Sequence, residues 1–302
     1  MTERLRKEIS VEKATFLSDG SKIRAILYLP ANYRKGKKAP GIVVCGGYTS
    51  EKEGRSAQVV PPLTAAGFAC LIFDYRGWGE SEGERNRLIC SEQVEDIKSA
   101  TSYLLQRDEV DAEKIGLVGL SLGGSHVVSA GAEDQRVKYV VAMYGVGDGA
   151  RWLRGMRTLV EWRKFQEEVE KDKLERVKTG KSKYWDSLDV MRLSKEEKEA
   201  YLSTHKMTEI SLSSAESLMN YRPEAVANKI SPRPTFFVHT ESELLVPYEE
   251  TISMWKMAGE PKDLWIIPSS LVKMHFDVYK SPGPCDEVMK VVTDWIKGKL
   301  RI

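Results

Sequence analysis

The 302-residue chain is 41% hydrophobic and 30% charged with a formal net charge of +2, a balance that can fill a globular core under a solvated surface of mixed sign and offers no uniformly basic tract for nucleic acid as the main partner. Its length is long for one compact domain and short for two independent ones, so a single α/β core carrying an insertion fits best. Residues 1–8 alternate charges and lack the apolar stretch of a signal peptide, and no later run reaches the length of a membrane span, so a cytoplasmic protein is expected.

In chain order, Glu8 to Leu17 and Lys22 to Tyr28 read as a hairpin around Ser18-Asp19-Gly20. The run Gly41-Ile42-Val43-Val44-Cys45 lacks polar alternation, as a strand buried on both faces does. It enters the loop Gly46-Gly47-Tyr48-Thr49-Ser50, which can turn a backbone N–H toward a reaction centre. Arg55 to Ala66 reads as a helix stopped by Gly67, and Phe68 to Phe73 as a strand. That strand ends in Asp74-Tyr75-Arg76-Gly77-Trp78-Gly79-Glu80-Ser81, too rich in glycine for helix or sheet. Gln93 to Gln106 is an amphipathic helix.

The organising stretch follows. Ile115 to Leu120 is apolar and strand-like, and Ser125 to Ala130 can continue as helix, so Gly119-Leu120-Ser121-Leu122-Gly123 falls at a strand-to-helix junction. In such an elbow the flanking glycines relieve collisions while the central serine takes a strained conformation that lifts its hydroxyl above the sheet. After a strand at Val137 to Met143 the composition changes: residues 147–230 are charged and helical, with Trp152, Met156, Leu159, Trp162, Phe165 and Val169 on one face. Ser194-Lys-Glu-Glu197 and Ser213-Ser-Ala-Glu216 read as capping boxes. This stretch is expected to be a helical cap inserted between core segments 1–146 and 231–302. The core resumes with a strand at Arg233 to His239, a helix at Tyr248 to Ala258, a strand at Asp263 to Ile267, and a closing helix from Cys285 to Lys299 with Val288, Val291, Val292, Trp295 and Ile296 toward the sheet. Strands alternating with helices imply a mostly parallel, doubly wound sheet.

A serine hydroxyl needs a base, and the base needs an acid to orient it. Of the four histidines, His126 lies on the elbow helix, His205 in the charged insertion and His239 at a strand end, which leaves His275, in a loop after the last strand, as the base. For the acid, the loop after the strand ending at His239 offers Glu241, Glu243, Glu249 and Glu250; Glu243 fits best and Asp148 competes. The cysteines Cys45, Cys70, Cys90 and Cys285 show neither disulfide spacing nor metal-ligand spacing, and Cys45 and Cys70 read as buried thiols.

The Gly-x-Ser-x-Gly elbow, the Asp74–Ser81 loop, His239-x-x-x-Glu243-x-x-Val246-Pro247 and His275-Phe276-Asp277 together resemble a serine hydrolase of the α/β-hydrolase superfamily over nearly the whole chain, similar to dienelactone-hydrolase-like and prolyl-oligopeptidase-like members. The resemblance implies an α/β-hydrolase fold, Ser121 as nucleophile, Glu243 as acid, His275 as base, and the N–H groups of Leu122 and Tyr48 as oxyanion hole. Many such relatives carry His-Gly where this chain has Gly46-Gly47, and Asp is commoner than Glu as the acid.

The function expected is hydrolysis of a small-molecule carboxylic ester through an acyl-enzyme, with no cofactor and no metal. Peptidase, amidase or thioesterase activity uses the same triad, and a non-hydrolytic ligand receptor on the same fold is the reading of another class. Trp152, Met156 and Trp162 are the residues expected to line the substrate pocket. Oligomeric state is left open, a homodimer being one option.

Overall fold

The computed structural model describes residues 10–30, 33–202, 208–243, 245–272 and 275–302. Apolar strand runs alternate with helices in the order β1 (Val11–Ser18), β2 (Ser21–Tyr28), β3 (Ala39–Cys45), α1 (Val60–Ala65), β4 (Ala69–Phe73), α2 (Cys90–Leu105), β5 (Val110–Leu120), α3 (Leu122–Glu133) and β6 (Val140–Met143). Then come α4 (Gly149–Gly155), α5 (Leu159–Thr179), β7 (Tyr184–Asp186), α6 (Ser187–Val190), α7 (Lys195–Leu202), β8 (Glu209–Ser211) and α8 (Leu212–Met219). The chain closes with β9 (Thr235–Thr240), α9 (Tyr248–Met257), β10 (Lys262–Ile267) and α10 (Pro284–Leu300).

Among the described residues eight strands form one sheet in the order β1-β2-β4-β3-β5-β6-β9-β10. The β1–β2 and β2–β4 pairs are antiparallel and the others parallel. Strand β3 shows why it is apolar on both faces: Val43 and Cys45 enter one core layer, with Leu71, Phe73 and Leu117, while Ile42 and Val44 enter the other, with Cys70, Ile72 and Val118. The chain leaves β3 toward β4 on one side and leaves β5 toward β6 on the other, which opens a crevice at the carboxyl ends of β3 and β5. The loop Gly46–Ser50 and the turn Gly119–Gly123 lie at this switch point.

Several local readings change. The expected helix Arg55 to Ala66 is a 3-10 turn, Arg55–Val59, followed by α1, because Pro61 and Pro62 cannot donate the N–H groups that a continuous helix would require. Ser213 does not cap α8: the N-cap is Ser211, and Glu216 pairs instead with Arg176 and with Lys173. The capping box that forms is Thr158 with Glu161, at the start of α5. Val291 is solvent-exposed rather than facing the sheet, whereas Val288, Val292 and Ile296 are fully buried and Trp295 stacks on Phe236. Leu159 is likewise exposed.

The stretch between β6 and β9 holds α4 to α8 and the two-stranded antiparallel pair β7–β8, which the sequence reading missed in runs of only three residues. Its start is fastened to α9. The carboxylate of Glu250 accepts from the N–H groups of Gly147 and Asp148, both at 3.0 Å, and from the Arg151 guanidinium at 2.7 Å. At its far end the 3-10 turn Pro223–Ile230 packs on α3 and α9, so those residues are continuous with the core rather than with the expected cap.

Candidate active site

The elbow forms where β5 runs directly into α3. Ser121 sits between them at φ 57° and ψ −127°, a region that non-glycine residues enter only when their surroundings enforce it. The flanking glycines remove the obstacles. A Cβ on Gly119 would lie 2.1 Å from the carbonyl oxygen of Gly123, and one on Gly123 would lie 2.3 Å from that of Cys45. The Ser121 N–H donates to Met143 O at 2.8 Å, and the Ser125 hydroxyl accepts from Val146 N at 2.8 Å, so the elbow is tied to β6 on both sides of the turn. Within a run buried from Ile115 to Ala132, Ser121 is the residue left partly exposed.

The loop after β3 lies against this serine. A Cβ on Gly47 would be 2.9 Å from Ser121 Cβ and 3.3 Å from its Oγ. The loop is held from two directions. From the segment after β6, the Tyr48 hydroxyl donates to Ser187 O at 3.1 Å, and the Thr49 and Tyr201 hydroxyls bond at 2.7 Å. From the core, Asp74 accepts from the Lys52 N–H at 2.6 Å, the Lys52 ammonium at 2.8 Å and the Glu80 N–H at 2.9 Å. Gly79 is required there, since its Cβ would come within 2.2 Å of the Asp74 carboxylate. The Asp74–Ser81 loop is thereby explained as the clamp on the Gly47 loop.

Glu243 lies in the loop after β9, buried, with Oε1 accepting from the N–H groups of Leu245 at 2.8 Å and Val246 at 3.3 Å. Two backbone N–H groups on one oxygen thereby fix the position of the carboxylate. The competing acids are committed elsewhere. Asp148 caps α4 by accepting from Arg151 N at 2.9 Å and pairs with Arg222 at 3.1 Å; Glu250 fastens Gly147 and Arg151; Glu241 accepts from Ser269 N at 3.1 Å; Glu249 is exposed. The backbone of His275 opens the 3-10 turn His275–Tyr279, and its imidazole lies outside the described residues, as does His205.

The other two histidines take structural places. His126 is fully buried on α3, with Nε2 2.8 Å from Gln93 Oε1 and Nδ1 3.0 Å from the Tyr221 hydroxyl. Burial pushes its pKa down to about 3, so the ring is neutral. His239 Nδ1 accepts from Thr240 N at 2.9 Å, and its ring packs 4.9 Å from that of Tyr144. Cys45, Cys70, Cys90 and Cys285 are all buried and free, and among the described residues no His, Cys, Asp or Glu cluster could hold a metal ion.

A cavity of about 40 Å³ adjoins Ser121, bounded by Gly47, Tyr48, Arg55, Met191, Tyr201 and Tyr279 among others. The segment after β6 therefore reaches the serine through Met191 and Tyr201. Trp152, Met156 and Trp162 lie elsewhere: Trp152 is buried with its indole N–H donating to Leu245 O at 2.8 Å, Trp162 packs 5.9 Å from Phe165, and Met156 is partly buried against the core. No periodicity marks Met191 or Tyr201. Arg55 and Tyr279 carried a weaker signal, since each lies a few residues from a loop already singled out.

A mostly parallel sheet with a strained Gly-x-Ser-x-Gly turn at its switch point belongs to the α/β-hydrolase class. The chain belongs to the X-Pro dipeptidyl-peptidase (S15) family, whose model matches residues 19–270, including Ser121 and Glu243. It is 31% identical over 271 residues, 87% of this chain and 92% of the other, to an uncharacterized 31.7 kDa protein of the traX-finO intergenic region of Escherichia coli. It is 25% identical over 290 residues to the polyketide transferase GrgF of a Penicillium species, covering 92% and 93% of the two chains. The crystal structure of GrgF, described there as an α/β hydrolase, superposes with a TM-score of 0.81 over 97% of this chain and 99% of that one, at 22% identity. A hypothetical protein of Pseudomonas aeruginosa superposes with a TM-score of 0.84 at 24% identity, covering 99% and 98%.

Proposed function

We propose that this hydrolase-family protein cleaves carboxylic esters through an acyl-enzyme on Ser121. Ser121 Oγ attacks the ester carbonyl carbon while its proton passes to His275, and Glu243 holds the imidazolium. The oxyanion is received by the N–H of Leu122, which opens α3 and so has no carbonyl one turn earlier to bond, and by the N–H of Tyr48 in the loop beside Oγ. Collapse expels the alkoxide, which takes the proton from His275. Water then loses a proton to His275 as it attacks the acyl carbon, and the acid departs as Ser121 is reprotonated. Residues 147–222 act as a cap whose Met191 and Tyr201 shape the substrate cavity.

The observation that carries this reading is the serine at φ 57° with Gly47 against its hydroxyl. The test pairs a fluorophosphonate with a panel of p-nitrophenyl esters, thioesters and aminoacyl-anilides. Labelling at Ser121 with esters turned over fastest supports it. Absence of labelling, or turnover confined to the anilides, overturns the nucleophile or the substrate class respectively. The name of GrgF raises acyl transfer to an acceptor other than water. Adding an alcohol or amine acceptor to the ester assay separates transfer from hydrolysis.

A further inference from the structure

Arg157 caps two helix ends at once. The last carbonyls of a helix find no N–H one turn further on, and those of α4 and α6 converge on this side chain. Its guanidinium donates to Leu153 O at 2.9 Å and to Asp189 O and Val190 O, both at 2.7 Å. The guanidinium carbon also sits 4.0 Å over the centre of the Phe165 ring. No carboxylate of a described residue pairs with it; Glu161 binds Arg192 instead. Burial, and after it the Arg192 charge, hold its pKa down at about 10, so it stays charged at neutral pH with main-chain carbonyls and a ring face in place of a counter-ion. A planar fork of donors reaches carbonyls on two elements from one position, a span that neither a compact ammonium nor a two-donor amide has.

What α6 carries gives this cap its consequence. Ser187 O, at the start of that single turn, accepts from the Tyr48 hydroxyl at 3.1 Å and from the Met191 N–H at 2.9 Å. Met191 follows directly after Val190 and lines the cavity at Ser121 together with Leu245 and Phe276. The cavity of about 40 Å³ has room for roughly three waters, which matches the three non-hydrogen atoms of an acetyl group and falls two short of a butyryl. The acyl group stays on Oγ after the first step while the alcohol must leave, so a tight cavity suits the acyl side. We propose that the site takes acetyl esters and that Arg157 is the positioning residue that sets this limit, by holding α6 so that Met191 stops a longer acyl chain. The proposal rests on Ser121 acting as an ester nucleophile.

The test measures kcat/KM for p-nitrophenyl acetate, butyrate and hexanoate and, with the acyl group fixed, for methyl, butyl and hexyl acetate. The wild type is expected to favour acetate over butyrate by about tenfold or more and to respond weakly to the length of the alcohol. Arg157→Gln should bring the acetate-to-butyrate ratio to within about threefold of one, and Arg157→Lys should retain more of the preference. Because Arg157 acts through Met191, adding Arg157→Gln to Met191→Ala should leave the ratio of Met191→Ala where it is, an outcome that a general loss of stability does not produce. If Arg157→Gln does not fold, Arg157→Lys and the wild-type series decide. A wild type indifferent to acyl length or limited by the alcohol instead, a preference undiminished in the Arg157 variants, or additive effects of the two substitutions overturns the proposal. Ser121→Ala is run alongside: if it retains turnover, the ester mechanism itself fails, whereas a dead Ser121→Ala with a wild type indifferent to acyl length removes only the acyl limit.

Discussion

The indole N–H of Trp152 donates to the carbonyl oxygen of Leu245, two residues beyond Glu243 and one before the second backbone donor to the Glu243 carboxylate. The residue expected in the pocket therefore braces the loop that carries Glu243. Trp152→Phe keeps most of the buried bulk and removes the bond, so kcat/KM for an ester should fall roughly tenfold while the midpoint of thermal unfolding moves little. Unchanged kinetics would mean that the loop needs no such brace.

Within the proposed triad, Ser121→Ala and His275→Ala should each lower kcat by about 10⁶, and Glu243→Gln by about 10⁴. Steady-state kinetics on an activated ester decide this. If Asp148→Asn were as harmful as the serine change and Glu243→Gln harmless, the acid would have to be reassigned.

Met191 borders the cavity at Ser121, so Met191→Ala should enlarge it. The ratio of kcat/KM for a butyrate ester over an acetate ester is expected to rise by about tenfold, the scale of one to two methylenes in a pocket. Trp162→Ala, remote from the cavity lining, should leave that ratio where it is and lower stability by about 3 kcal/mol or more.

Glycines in two settings should answer oppositely. Gly123→Ala brings a methyl group within 2.3 Å of the Cys45 carbonyl oxygen and should prevent a stable fold or cost well over about 3 kcal/mol. Gly298 lies inside α10 with nothing within 4 Å of a Cβ, so Gly298→Ala should add about 0.5–1 kcal/mol. Denaturant midpoints measure both.

His126 gives a pH dependence of known sign. Its folded-state pKa, about 3 because of burial, lies below the unfolded value of about 6.5, so protons favour the unfolded chain. Its contribution to stability should be complete above about pH 6.5 and fall as the pH drops toward 3, by up to about 1.4 kcal/mol per pH unit. His126→Gln should flatten that slope between pH 6.5 and 4.5 in chemical denaturation. An equal slope in the variant would place the sensitivity elsewhere.

What could be read from the residues divides along physical lines. The core strands were legible because burial on both faces writes itself as uninterrupted apolar runs such as Gly41–Cys45, and the elbow because only glycine fits at Gly119 and Gly123. The segment after β6 was legible as a change of composition but not in its contacts. An apolar helix face looks the same whether it packs on a core or on a ligand, so Trp152 and Trp162 were indistinguishable from pocket residues. Met191 and Tyr201 reach the cavity from a short helix and its neighbour, where no periodicity accumulates. The capping boxes misled at Ser213 because a serine-rich run offers several starts, and the chain took Ser211.

The pairing of Cys45 with Gly119 in the sheet has a consequence for how the protein comes to be active. The elbow and the loop that lies against it arrive on strands far apart in the sequence, and they fit only in one alignment of β3 with β5, since a slip by one residue would reverse which face each side chain takes. Helices rest on local contacts and form early on dilution from denaturant, whereas the site is assembled only when β3 and β5 pair. Regain of ester turnover during refolding is thus a clock for the meeting of these two strands, and it should lag the recovery of helical signal.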